Sequence, residues 1–357
     1  TQLDALQGLG YKCGDYNLIS KYSFGNYNAN LWAGYSNANP KEDMVSKEDY
    51  LLPVAVAKGS SSSGNDKENI GKYITASISN LTPKRTWMLR TSIEASKQWD
   101  NILNGKTEYT SEHGNLAFDE MQYSLSSTVK PTLYAYFQKQ IGSSHNFDAV
   151  LDCYYADNKY NRDFLESGRF VSDVDEDYFY GKFNANYSIA LPKSNNLTFS
   201  LHEYMRVSQD SYRGSADYWQ HLHSSETIFF VDYNKRWKKV MLDFNPGLSY
   251  LVYRLHGDDA VKHVAPRLQL SSSWMPDKLQ RVRLFFSLGN TFPSLNTVNN
   301  VSQQIDHIMI RRGNPDMDNS TLLGPGFIYS LNYKQISAML SCYYMYMSNA
   351  IVNTYSI

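Results

Sequence analysis

The fold is decided by residues 237–292, which read WKKVMLDFNPGLSYLVYRLHGDDAVKHVAPRLQLSSSWMPDKLQRVRLFFSLGNTF. Alternation of apolar and polar residues with a period of two predicts extended strands with one apolar and one polar face. The intervening breaks, 256–262 and 276–278, are short enough for antiparallel hairpins. Apolar residues mark one face of each segment: Val240, Leu242, Phe244, Leu248, Tyr250 and Val252; Val264, Leu268, Leu270 and Trp274; Val282, Leu284, Phe286 and Leu288.

The length of these segments separates two kinds of β-protein. Strands of soluble sandwiches usually run about five or six residues, whereas these keep their alternation for about ten or more, and a tilted strand needs roughly nine to eleven residues to cross a bilayer. If the apolar face meets lipid, the polar face lines a lumen. We therefore predict an all-β protein, a transmembrane antiparallel β-barrel.

Composition excludes several other classes. The chain has 357 residues, 29 of them Tyr, and a formal net charge of −1, so it lacks the basic footprint of a nucleic-acid-binding protein. The chain has no apolar run of eighteen or more residues, so no transmembrane helix is predicted. Residues 1–10 show no secretory signal. Cys13, Cys153 and Cys342 are too widely spaced to suggest a disulfide framework or a metal site.

Alternation along the whole chain predicts about fourteen strands in one domain, 1–357. Pro246 and Pro266 interrupt two of the strands, where each predicts a bulge or a bend because proline removes a ladder donor. Polar, irregular stretches between strands predict long external loops near 37–71, 101–118, 158–177, 207–222 and 291–323. Short turns on one rim and long loops on the other are typical of outer-membrane barrels.

No catalytic signature is present, so the sequence does not predict an enzyme. The run 59–67, GSSSSGNDK, lacks the Lys and the Ser or Thr that a phosphate-binding loop requires. His221 and His223 share a face of an extended segment but have no third ligand nearby, and a loop is favoured over a metal site there. The acidic run 173–177 lacks the ligand spacing of a calcium loop. No cofactor or metal is predicted.

Polar alternate positions form the main candidate site. If the apolar face points to lipid, these residues line the lumen, where they either pair and hydrate the wall or form a path for a solute. The predicted lumen-facing set is Arg90, Glu94, Asp148, Asp152, Asp243, Arg267, Gln269 and Arg283. Trp87, Trp237 and Trp274 are predicted as interfacial anchors, and Tyr212, Tyr218 and Trp219 as loop aromatics that contact a ligand.

The C-terminal part, 289–351, resembles the barrel of TonB-dependent outer-membrane receptors of the Bacteroidetes type. The resemblance is carried by GNTFPS at 289–294, by RGNPDM at 312–317, and by the Tyr-rich hairpin that follows. In the family, the second motif forms a turn at the rim, here Arg312, Gly313, Asn314 and Pro315. Met317 and Asn319 depart from the family's usual Leu and Pro.

The resemblance implies a bacterial outer-membrane transporter for active uptake of a scarce nutrient such as an iron chelate, cobalamin, a glycan or a peptide. It implies a barrel of about twenty-two strands, incomplete here, with a plug that is not present in this chain. Implied partners are outer-membrane lipid, the nutrient, TonB through the plug, and a surface lipoprotein. Two alternatives stay open: a passive porin or structural barrel of a surface complex, and a soluble glycan-binding β-protein.

Overall fold

A computed structural model describes residues 2–7, 12–50, 56–214, 217–291, 295–298, 302–304, 307–314, 316–317 and 319–350. The described chain is all-β: seventeen strands form one large antiparallel sheet, and two more form a small hairpin. None of the helical segments in these ranges is both long and apolar enough to span a membrane.

The strands are long, and most neighbours in the sequence are neighbours in the sheet. The elements, in chain order, are β1 (Gln2–Gln7), β2 (Lys12–Phe24), β3 (Tyr27–Asn39), β4 (Lys41–Tyr50), β5 (Val56–Leu81), β6 (Arg85–Ser111), β7 (Gly114–Ile141), β8 (His145–Leu165), β9 (Arg169–Leu191), β10 (Asn195–Gly214), β11 (Tyr218–Arg236), β12 (Val240–Leu255), β13 (Val261–Trp274), β14 (Gln280–Thr291), α1 (Leu295–Val298), β15 (Gln303–Gln304), β16 (Ile310–Arg311), β17 (Ser320–Tyr333), β18 (Ile336–Tyr343) and β19 (Tyr346–Ser348).

The seventeen strands of the large sheet occupy fifteen positions. Strands β3 and β4 both pair with β5, and β18 and β19 both pair with β17, so each of these two pairs fills a single position. From β1 to β18 every neighbouring pair is antiparallel. The fifteen positions are close in number to the fourteen strands predicted from the sequence. No pairing joins β1 to β18 within the described ranges, so the sheet is consistent with a β-barrel wall but is not closed.

The two rims of the sheet differ in what joins the strands. At one rim, here called the short-turn rim, all joins have two to five residues: 25–26, 82–84, 142–144, 192–194, 237–239, 275–279 and 334–335. Gly25 and Gly142 adopt the positive φ angles, 55° and 67°, that such tight reversals need. The opposite rim, the far rim, carries the longest connection, 292–319.

The apolar face is exposed rather than packed into a dry core. Phe244 is 41% exposed, Leu248 51%, Val264 64% and Leu284 56%. In a soluble sandwich, by contrast, these side chains would meet inside. The two-residue alternation of 237–292 therefore produces a sheet whose apolar face has no protein partner among the described residues.

In four of the five predicted loops, the described residues lie mainly in strands. Residues 37–50, 56–71, 101–118, 158–177, 207–214 and 217–222 extend the strands toward the far rim, and β5, β6 and β7 reach 26, 27 and 28 residues. Residues 51–55 and 215–216 lie outside the described residues. The prediction of irregular structure was wrong there because polar residues on both faces hide the alternation. The predicted loop near 291–323 falls on the connection between β14 and β17, of which 292–294, 299–301, 305–306, 315 and 318 lie outside the described residues.

Neither strand proline shifts the register, so the predicted bulges are absent at Pro246 and Pro266. Pro246 pairs with Leu268 and Pro266 with Leu248 in an unbroken register. Each proline instead lies where the pairing with the other neighbouring strand is interrupted. The pairing of β11 with β12 is interrupted between Phe230 and Tyr233, and the pairing of β13 with β14 begins only at Leu268.

Candidate functional site

The second face of the sheet, here called the polar face, carries mostly polar residues, with apolar ones such as Ile228, Phe230 and Leu251 among them. Residues paired directly across antiparallel strands project to the same side, so rows of paired residues show which side chains share a face. One such row runs through Arg90, Tyr134, Asp152, Lys182, Tyr204 and Glu226 on six successive strands.

All eight residues predicted as lumen-facing lie on this polar face. Asp148 and Arg267 end a second row that crosses β8 to β13. Gln269 pairs with Asn245, and the rest follow by two-residue spacing from these rows. Whether this face lines a lumen depends on closure of the barrel, and that part stays a prediction.

The contacts of the predicted residues are mostly with neighbours outside the set. The ammonium of Lys130 lies 3.1 Å from a carboxylate oxygen of Glu94. Other contacts follow the same pattern: Asp148 accepts a hydrogen bond from Asn186 (2.8 Å), Asp243 accepts one from Ser271 (2.9 Å), and the guanidinium groups of Arg90 and Arg283 lie 4.9 and 5.9 Å from the rings of Tyr134 and Phe285.

Three of the eight residues come together at one open cavity. Asp243, Gln269 and Arg283 line a cavity of about 490 Å³ on β11 to β14 and β17, with Asp232 and Asn234 beside them. The cavity therefore carries charges of both signs and several neutral hydrogen-bonding groups. Leu270, Phe285, Phe286 and Ile328 also line it, so the cavity offers hydrogen-bonding groups and an apolar surface together.

A buried ion pair lies on the polar face nearer to the far rim. The Arg267 guanidinium donates to Oε1 of Glu226 at 2.6 Å, and their side chains are only 17% and 10% exposed. Ser249 also donates to Glu226 Oε1, at 2.6 Å. Glu226 and Arg267 line a second cavity, of about 310 Å³, together with Asn290. Neither polar atom of the Asn290 side chain has a hydrogen-bond partner among the described residues. The pair is therefore shielded from water, and loss of either member would leave the other charge buried without a partner.

The connection between β14 and β17 lies against the polar face. We call its described residues, 295–298, 302–304, 307–314 and 316–317, the strap; it contains α1, β15 and β16. Val298 is 4% exposed, the Asn314 amide donates to the Thr297 carbonyl at 2.7 Å, and the Tyr253 hydroxyl of β12 donates to the Met317 carbonyl at 3.3 Å. The strap is therefore anchored to the wall as well as to itself.

The strap reaches the opposite part of the wall at His307. Its backbone amide donates to Glu166 Oε2 at 2.9 Å, and its ring lies 5.7 Å from that of Tyr109 and 5.1 Å from that of Phe118. Tyr109 donates to the other oxygen, Glu166 Oε1, at 2.7 Å. Because five strands, β9 to β13, separate β14 from β8, the strap spans much of the sheet.

Glu166 is the acceptor that holds this end of the strap, together with Tyr109 and His307. Replacing Glu166 by alanine removes a charged acceptor from two donors, and hydrogen bonds to charged groups contribute about 1.5–3 kcal/mol. We expect hydrogen–deuterium exchange of residues 307–314 to become at least about tenfold faster in Glu166→Ala. Glu112→Ala, at the exposed turn of β6 and β7, is the control and should leave that exchange unchanged. Equal exchange in both variants would show that Glu166 does not hold the strap.

The three aromatic residues predicted as loop aromatics lie on strands. Tyr212 is in β10, and its hydroxyl lies 3.4 Å from Asp210 Oδ2. Tyr218 and Trp219 are in β11 and 40% and 42% exposed, and the Trp219 ring lies 4.7 Å from that of His256. Tyr212 and Trp219 are on opposite faces, because Trp219 pairs with Ser211. The three residues therefore do not form one ligand platform.

The family-motif turn falls on the strap. Arg312, Gly313 and Asn314 lie between β16 and β17, and Asn314 Oδ1 accepts a hydrogen bond from the Asp316 amide at 3.0 Å. Such a local side-chain bond is typical of a turn. Pro315, the fourth residue of the motif, and 292–294 of the first motif lie outside the described residues.

Sequence reasoning missed Glu226, Glu166 and His307. Glu226 stands at an even position of β11, in step with the polar alternation, so that signal could have found it. Glu166 and His307 are 141 residues apart and lie in turns, where no alternation marks a face. In comparisons with known proteins, no protein-family model matches the chain, and no curated protein is significantly similar to it.

Proposed function

We propose that this chain forms part of the barrel wall of a TonB-dependent outer-membrane receptor that takes up a scarce nutrient by active transport. The observation that carries the proposal is the two-faced sheet: an exposed apolar face and a polar face, maintained over strands long enough to cross a bilayer. The sequence resemblance at 289–351 supports the same class.

The orientation follows from the two rims. About ten residues of each strand next to the short-turn rim cross the bilayer, because short turns face the periplasm in such barrels. Strand β6, with 27 residues, is about 90 Å long at about 3.3 Å per residue. Its far half therefore stands outside the membrane, where the strap and the far-rim turns meet the ligand.

The partners follow from the two faces and from the class. Outer-membrane lipid covers the apolar face, and the polar face with its mixed charges guides a polar nutrient: an iron chelate, cobalamin, a glycan or a peptide. Energy reaches the barrel from TonB through a plug, and a surface lipoprotein assists capture at the far rim. The strap, held at Glu166, lies where a ligand-dependent contact with the wall is expected.

A passive porin is the second candidate. The strap favours it, because a chain segment lying against a polar wall narrows a water-filled pore and sets a size limit without any energy input. The two functions differ in their dependence on energy, which uptake measurements can separate.

The test is uptake by cells that make the full-length protein, compared with a deletion strain. A panel of radiolabelled iron chelates, cobalamin, oligosaccharides and peptides is offered at limiting concentration, with and without an uncoupler and with and without TonB. Active transport predicts accumulation of one solute class that both treatments abolish. Uptake that persists after uncoupling favours the porin, and recovery of the protein without detergent would contradict both and favour a soluble glycan-binding protein.

A further inference from the structure

A group of buried and half-buried polar side chains on β9, β10 and β11 is not used by the proposed function. Asp210 is the sixteenth residue of β10, beyond the ten or so that cross the bilayer. It pairs with Glu176 of β9 on one side and with Gln220 of β11 on the other. The three side chains therefore project from the same face at adjacent positions. Asp210 is 2% exposed and Gln220 1%.

Two carboxylates converge on one hydroxyl in this group. The Ser208 oxygen lies 2.9 Å from Asp210 Oδ1 and 3.2 Å from Glu176 Oε1, so its single proton serves both carboxylates. Asn158 donates to Glu176 Oε2 at 2.8 Å. Within the described part of the chain no ion pair joins Asp210 or Glu176 to a basic side chain. Two negative groups are therefore held together without a counter-charge.

Gln220 gives an independent sign that something is missing from this group. Neither its Oε1 nor its Nε2 has a hydrogen-bond partner among the described residues, although the side chain is almost fully buried. Buried polar groups are hydrogen-bonded in the great majority of cases. An unpartnered amide directly opposite a buried carboxylate places a further oxygen at the group.

We propose that Asp210, Glu176, Ser208 and Gln220 bind a divalent cation, Ca²⁺. All four supply oxygen, which hard cations prefer, and no His or Cys that a transition metal would select belongs to the group. The described residues contain no cluster of three or more His, Cys, Asp or Glu side chains suited to a metal. The amide and the hydroxyl would therefore complete the coordination of two carboxylates, with water filling the rest.

The charge balance favours a cation over the empty group. Burial raises the pKa of Asp210 to about 6, with a further rise from the Glu176 charge, against lowering by the hydrogen bonds from Ser208 and Tyr212. A divalent cation would neutralise both carboxylates. Bound there, Ca²⁺ would join three neighbouring strands outside the bilayer and stiffen the far half of the wall, whatever solute the protein transports.

The test uses terbium, a luminescent substitute for calcium, on the purified full-length protein in detergent. Tyr212, hydrogen-bonded to Asp210, is close enough to sensitise terbium emission. We expect saturable emission that Ca²⁺ displaces in the native protein and at least tenfold weaker binding in Asp210→Asn. Asp175→Asn is the matched control: it makes the same change on β9, but on the opposite face, and should bind like the native protein.

A second variant keeps the test decisive if Asp210→Asn does not fold. Gln220→Leu removes the unpartnered amide, so we expect it to unfold at a higher temperature than the native protein in chelator, yet to gain nothing from added Ca²⁺. Native protein should gain thermal stability with Ca²⁺. Native protein without a calcium response, or Gln220→Leu and Asp210→Asn responding like Asp175→Asn, would overturn the proposal.

Discussion

Replacing Arg267 by methionine is expected to destabilise the protein by about 3–5 kcal/mol, the usual cost of breaking a buried ion pair. The change leaves the Glu226 carboxylate, whose side chain is 10% exposed, with the Ser249 hydroxyl but without its cation. The measurement is equilibrium urea unfolding of the full-length protein in lipid vesicles, followed by tryptophan fluorescence.

Two further variants show whether that loss comes from the ion pair. Arg283→Met removes an arginine from the same polar face, but from an exposed position over Phe285, so we expect a change within about 0.5 kcal/mol. Adding Glu226→Gln to Arg267→Met should recover most of the loss, because no buried charge then remains unpaired. Equal losses in Arg267→Met and Arg283→Met would contradict the buried pair.

Replacing Phe244 by arginine is expected to cost about 2–4 kcal/mol, the range for arginine on the lipid face at the centre of a bilayer. Phe244 is the fifth residue of β12 and 41% exposed on the apolar face. A crossing of about nine to eleven residues places it near the midplane. Unfolding in vesicles measures the loss.

The matched control for Phe244 lies on the opposite face at a neighbouring position. Ser271 pairs with Asp243 and borders the open cavity, where an arginine would have room, water and a carboxylate partner. We expect Ser271→Arg to stay within about 0.5 kcal/mol of the native protein. If arginine costs the same at both positions, the apolar face does not meet lipid, and the proposed membrane orientation is wrong.

The sequence predicted the half of the sheet next to the short-turn rim well, because apolar and polar residues alternate there as the proposed bilayer crossing requires. The alternation at Phe244 and Leu284 placed both on one face, and the structure exposes both. Toward the far rim polar residues occupy both faces, so the period of two disappears. For that reason GSSSSGNDK, 59–67, was predicted as a loop although it lies within β5.

For the candidate site, the sequence predicted which face each residue lies on but not which residues contact each other. Alternation assigned all eight polar residues to one face, including Arg267, but it could not select Glu226 as the partner of Arg267, since the two are 41 residues apart. That choice depends on the register of β11, β12 and β13. The contact between Glu166 and His307 depends on how the strap crosses the wall, for which neither residue carries a local pattern.

The unequal strand lengths give the far rim an uneven height. Strand β7 has 28 residues and β14 has 12, a difference of about 50 Å of strand at about 3.3 Å per residue. The strap connects β14 to β17 on the low side of this rim and extends to a contact with Glu166 on the higher side. In the proposed receptor, a large ligand would therefore approach over the low side and meet the strap near β14 and β17 before it meets the longer strands.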